Sequence, residues 1–111
     1  HVNLCPTGGM DKAVLEGMAC GVPTLVWNQA FAALAGSTSG LQLVHRDDPA
    51  SISEQLRKMI SKSGEEQVLL GNALRCAVEQ EFGLQQFVLR LVEILRQAAQ
   101  ITNDASGQDD L

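Results

Sequence analysis

Between Asp11 and Trp27 the chain reads helix, stop and strand with almost no slack, and this arrangement narrows the possible folds more than any other feature. Val14, Leu15, Met18 and Ala19 recur at spacings of three and four, the period of one helix face, and Asp11 stands where an N-cap belongs. Gly21 and Pro23 then predict a sharp stop, because glycine takes the left-handed conformation and proline blocks continuation. Pro23-Thr24-Leu25-Val26-Trp27 follows without alternation and is partly β-branched, as in a strand covered on both faces of a parallel sheet. Upstream, Val2 to Cys5 is a short apolar run ended by Pro6-Thr7-Gly8-Gly9. Strand, helix and strand in this order predict a βαβ unit and an α/β fold.

The remaining pattern extends that unit. Asn28 to Ser39 is small and mixed, with one helical turn expected over Phe31 to Leu34, and Leu41 to Val44 reads as another strand. Asp48 before Pro49 predicts a capped helix whose apolar stripe is Ile52, Leu56, Met59 and Ile60. After Ser63-Gly64, a helix over Glu65 to Phe82 carries Val68, Leu69, Ala73, Leu74, Ala77 and Val78. Another over Leu84 to Gln100 carries Phe87, Val88, Leu91, Val92 and Leu95. The order matches the closing part of an α/β domain, a parallel sheet followed by three helices, and is assigned to residues 1–101. Residues 102–111 hold three aspartates and almost no apolar side chains, which predicts a disordered acidic tail.

Composition removes several function classes. A net charge of −5, without a basic stripe, gives nucleic acid phosphates nothing to hold. No apolar run reaches the roughly 18 residues of a membrane span, and the first residues lack the pattern of a secretory signal. Cys5, Cys20 and Cys76 fit neither a disulfide framework nor a zinc site, and are expected as buried thiols in a reducing cytosol. No Ser-His-Asp set, metal-ligand spacing or Walker loop is present. The opening His1-Val2-Asn3-Leu4-Cys5 resembles the end of a buried strand, so the chain is expected to be a piece of a longer protein. Such a piece would expose apolar edges and helix faces on its own.

In an open parallel sheet ligands bind beyond the carboxyl ends of the strands, and Thr7-Gly8-Gly9-Met10-Asp11-Lys12 occupies such a place. Gly8 and Gly9 let backbone approach a bulky anion, and the following helix points its positive end at the same spot. Lys12 could add charge there, while Asp11 opposes an anion and serves as a helix cap. Glu16, about one and a half turns into the helix, could accept hydrogen bonds from two adjacent sugar hydroxyls, or stand as an ordinary solvated carboxylate. His45 beside Arg46 reads as a surface residue, and Trp27 as core.

The stretch TGGMDKAVLEGMACGVPTLVWN, with its ending Glu16-Gly17-Met18-Ala19-Cys20-Gly21-Val22-Pro23, resembles the donor-site segment of family 4 GT-B glycosyltransferases. The resemblance runs through Asn28, the turn at Asp47-Asp48-Pro49 and the paired helices around Phe82. It implies the C-terminal part of a Rossmann-like GT-B domain and a retaining transferase whose substrate is a nucleotide-diphosphate sugar, with no metal or other cofactor. Glu16 would hold the ribose, and backbone amides from Gly8 through Gly9, Met10 and Asp11 to Lys12 would face the diphosphate and sugar. Asn28 and Phe31 would shape the base pocket. The acceptor would bind a further, N-terminal domain of the same protein, in the cytoplasm or at a membrane reached through that domain. The family's earlier glutamate would fall on Gly8, and Asn28-Gln29-Ala30-Phe31-Ala32 replaces its usual glycine pair and glutamate. A non-catalytic nucleotide-sugar binder, or a module whose helices over residues 49–100 bind a partner, are the alternatives.

Overall fold

The computed structural model describes residues 1–6 and 8–108. It is mixed α/β: a parallel three-stranded sheet, β1 (Val2–Asn3), β2 (Thr24–Val26) and β3 (Leu41–Leu43), with β2 in the centre. Val2 pairs with Leu25, and Thr24, Leu25 and Val26 pair with Leu41, Gln42 and Leu43. The helices are α1 (Lys12–Ala19), α2 (Ala32–Ser37), α3 (Pro49–Ile60), α4 (Gly64–Phe82) and α5 (Leu84–Gln108), with a 3-10 turn over Gln29–Phe31. Contacts divide the chain into two compact units, His1–Glu79 and Gln80–Leu111.

The first unit holds the sheet and the core. All three β2 residues are buried, as their unalternating pattern requires of a strand covered on both faces. Val26 joins Val14 and Met18 of α1, Phe31, Leu34 of α2, Leu41 of β3 and Leu74 of α4 in one cluster. The predicted local signals set the boundaries. The Asp11 carboxylate accepts from the Ala13 N–H, that of Asp48 accepts from the Ser51 N–H, and Pro49 opens α3. Gly21 has φ 73°, the left-handed stop expected after α1.

Helix faces differ from the periodicity in an informative way. In α4 the buried residues are Gly71 and Leu74, with Val78 partly buried, whereas Val68 and Leu69 are exposed. The reason is a close backbone crossing: a Cβ on Gly71 would lie 2.4 Å from the Gly21 carbonyl oxygen, so α4 turns its glycine toward that turn. Leu74 then fills the space over Gly40, where a Cβ would meet the leucine Cγ at 2.7 Å. The Arg75 Nε–H donates to the Ala19 carbonyl at 3.0 Å, satisfying one orphan acceptor at the end of α1. Ile60, assigned to the α3 stripe, is 75% exposed because it sits at the helix end.

In the second unit α5 runs to Gln108, beyond the point at Thr102 where a disordered tail was expected, and residues 109–111 lie outside the described residues. There the Thr102 hydroxyl donates to the Ala98 carbonyl and the Ser106 hydroxyl to the Thr102 carbonyl, both at 3.0 Å. Arg90 donates to the Glu81 carbonyl at 2.9 Å and to its carboxylate at 3.2 Å. Every residue from Leu84 to Gly107 is exposed, including Leu84, Phe87, Leu91, Ile94, Leu95 and Ile101. No helix among the described residues is long and apolar enough to cross a membrane.

Candidate functional site

The carboxyl ends of β1, β2 and β3 lead into three neighbouring loops, and the parallel register brings them side by side. Past the strands, the Trp27 N–H donates to the Asn3 carbonyl at 3.1 Å and the Val44 N–H to the Val26 carbonyl at 2.8 Å, which extends the ladder toward this edge. The first loop carries Gly8, Gly9, Met10 and Asp11, the second Trp27, Asn28 and Gln29, and the third His45, Arg46 and Asp47. Thr7 lies outside the described residues.

Polar side chains bind the first two loops together. The Asn3 side-chain N–H donates to Asp11 Oδ2 at 3.0 Å, while its own oxygen accepts from the Cys5 N–H at 3.0 Å. Asp11 therefore uses one oxygen to cap α1 and the other to meet the end of β1. Asn28 is buried, and its Nδ2–H donates to the Gly9 carbonyl at 2.7 Å while its oxygen accepts from the Ala30 N–H at 3.0 Å. The glycine loop is thus held by an asparagine 19 residues downstream. Strand-end asparagines before loop residues were the only sequence hint of this network, and their partners lie too far along the chain for local patterns to reveal.

The predicted site residues divide into two groups. Gly8 lines a cleft of about 280 Å³ with Pro6, Trp27, Asn28, Gln29 and Ala30. Gly9 and Asp11 are engaged in the loop network, and Met10 is 40% exposed. Glu16 does not line that cleft: its side chain is 64% exposed, and its carboxylate stands 3.6 Å from Lys12 Nζ, which is itself 89% exposed. An i,i+4 pair this open to water contributes little to stability and leaves both groups accessible to a ligand. The Ala13 and Val14 amides at the start of α1 are taken by Asp11, so the amides left for an anion come from Lys12 and the loop before it. Phe31, assigned with Asn28 to a base pocket, is fully buried in the core.

Trp27 departs from its expected place in the core. It is half-buried, with the Arg46 guanidinium 4.2 Å from its ring centre and the His45 ring edge-on at 5.7 Å. A guanidinium over an indole face is attractive because the ring quadrupole is negative there. His45 is exposed, 3.7 Å from the Asp47 carboxylate, and its Nδ1 accepts from the Asp47 N–H at 3.3 Å. The cysteines also differ from expectation: Cys20, the C-cap of α1, and Cys76 are exposed and Cys5 is half-buried, while the buried residues of α4 are Gly71 and Leu74. Among the described residues no three His, Cys, Asp or Glu side chains converge on a point where a metal could sit. No family model, curated protein or solved structure matches this chain, so the family reading rests on the residues of the segment from Thr7 to Asn28.

Proposed function

We propose that the chain is the donor-binding portion of a retaining glycosyltransferase, gripping a nucleotide-diphosphate sugar at the carboxyl edge of its sheet. The observation that carries this reading is the Asn28 bridge to the Gly9 carbonyl, which holds a glycine loop open beside a cleft at the ends of parallel strands. Lys12 and Glu16 stand accessible on the first turns of α1, where a cation suits the diphosphate and a carboxylate suits vicinal hydroxyls. Gly8 occupies the place of an expected sugar-contacting glutamate, so grip on the sugar falls to other residues of the same edge.

The test is Glu16→Ala, titrated calorimetrically against UDP-, GDP- and ADP-sugars. Loss of a carboxylate that accepts two hydroxyl hydrogen bonds weakens binding by about tenfold to a hundredfold. Unchanged binding and turnover would remove the enzyme reading. A second reading, a helical interaction module, is favoured by the exposed apolar side chains of α5, from Leu84 at 78% to Ile101 at 70%. It predicts that Glu16→Ala is silent while Leu91→Glu abolishes capture of a partner protein.

A further inference from the structure

The loop that follows β2 has a chemistry that the Gly8 to Glu16 grip does not use. Trp27, Asn28 and Gln29 line the 280 Å³ cleft with Pro6, Gly8 and Ala30, so the lining combines one aromatic surface, two amides and small groups. Among the described residues it contains neither a carboxylate nor a cation. Arg46 lies against the indole from outside that lining, and with His45 at the ring edge it fixes the plane of Trp27. Asn28 is likewise immobilised by its bonds to Gly9 and Ala30. Gln29 is exposed, and its NH₂ reaches only the Trp27 carbonyl at a long 3.4 Å, which leaves its oxygen and second N–H for a ligand.

We propose that this cleft is a subsite for one uncharged pyranose ring, with Trp27 as the platform, Gln29 as the hydroxyl-reading amide and Arg46 as a positioning residue for the indole. The substrate class rests on the glycosyltransferase reading; the location and residues rest on the cleft. A pyranose presents a face of C–H bonds to an aromatic plane and a rim of hydroxyls that both donate and accept, which matches an indole flanked by amides. A phosphate or carboxylate ligand would find no compensating charge in this lining, and the cleft is small for a whole nucleotide.

The experiment titrates the protein with methyl α-pyranosides of glucose, galactose, mannose and N-acetylglucosamine, and with uridine and guanosine, by calorimetry. Trp27 is the only tryptophan in the 111-residue sequence, so its emission reports occupancy of the cleft in that chain directly. At least one pyranoside binds saturably and shifts the emission, more tightly than either nucleoside. Trp27→Ala weakens that binding by about tenfold or more and Trp27→Phe restores most of it, as expected for loss and return of an aromatic contact. Circular dichroism of both variants separates this from unfolding, and Gln29→Ala weakens binding by about threefold to tenfold through its lost hydrogen bonds. No saturable pyranoside binding, tighter binding of a nucleoside, or a Trp27→Ala variant that binds as well as the parent would overturn the proposal. Any of those results could stand beside a normal Glu16 effect on nucleotide-sugar binding.

Discussion

At the scale of single residues, Asp11 ties the start of α1 to the end of β1, because one carboxylate serves both the α1 cap and Asn3. Asp11→Ala therefore costs about 1 to 2 kcal/mol, the usual range for a lost N-cap, as read from the urea midpoint. Asp11→Asn keeps an acceptor for the Ala13 N–H and stays within a few tenths of a kcal/mol of about half that loss. Equal destabilisation by the two would show that the second carboxylate oxygen, which accepts from Asn3, and not the cap, is what matters there. The cap was legible in the sequence because it joins residues two apart. The place of Trp27 was not, because an aromatic residue closing an apolar run looks the same whether it enters the core or meets a cation. Arg46, which decides the matter, arrives 19 positions later from the end of the neighbouring strand.

At the scale of elements, the contact between α4 and the turn after α1 is set by two glycines, and one substitution tests it. Gly71→Ala forces a methyl to within 2.4 Å of the Gly21 carbonyl oxygen, which must shift backbone on one side. The expected loss is roughly 1 to 3 kcal/mol, against a neutral or slightly stabilising Gly36→Ala in α2, where nothing lies within 4 Å of the new Cβ. Thermal melts of the pair give the comparison, and an unchanged Gly71→Ala would mean the crossing is looser than described. Strand and helix order, the Gly21 stop, and the Pro49 start all followed from local chemistry. The buried face of α4 did not, since periodicity ranked Val68 and Leu69 above a glycine whose value lies in its missing side chain. The run of α5 past Thr102 was hidden for a different reason: composition measures apolar surface, and the backbone bonds of a helix need none.

For the whole molecule, the two units differ in how their helices are held. The first buries a cluster that spans the sheet and four helical segments, while α5 is exposed at every residue from Leu84 to Gly107. Most of a helix's stability in a protein comes from packing its apolar face. Amides of α5 accordingly exchange with solvent orders of magnitude faster than those of β2, measured by native-state hydrogen exchange. Equal protection would reveal a partner, or a second copy, covering the Phe87–Leu91–Ile94 stripe. A different consequence follows from the single amide that spans the second loop and the Gly9 carbonyl. A ligand entering beside Asn28 meets walls whose separation is already fixed, so it need not spend affinity on gathering them. Under the pyranose proposal that one bond would also set the width a ring has to fit.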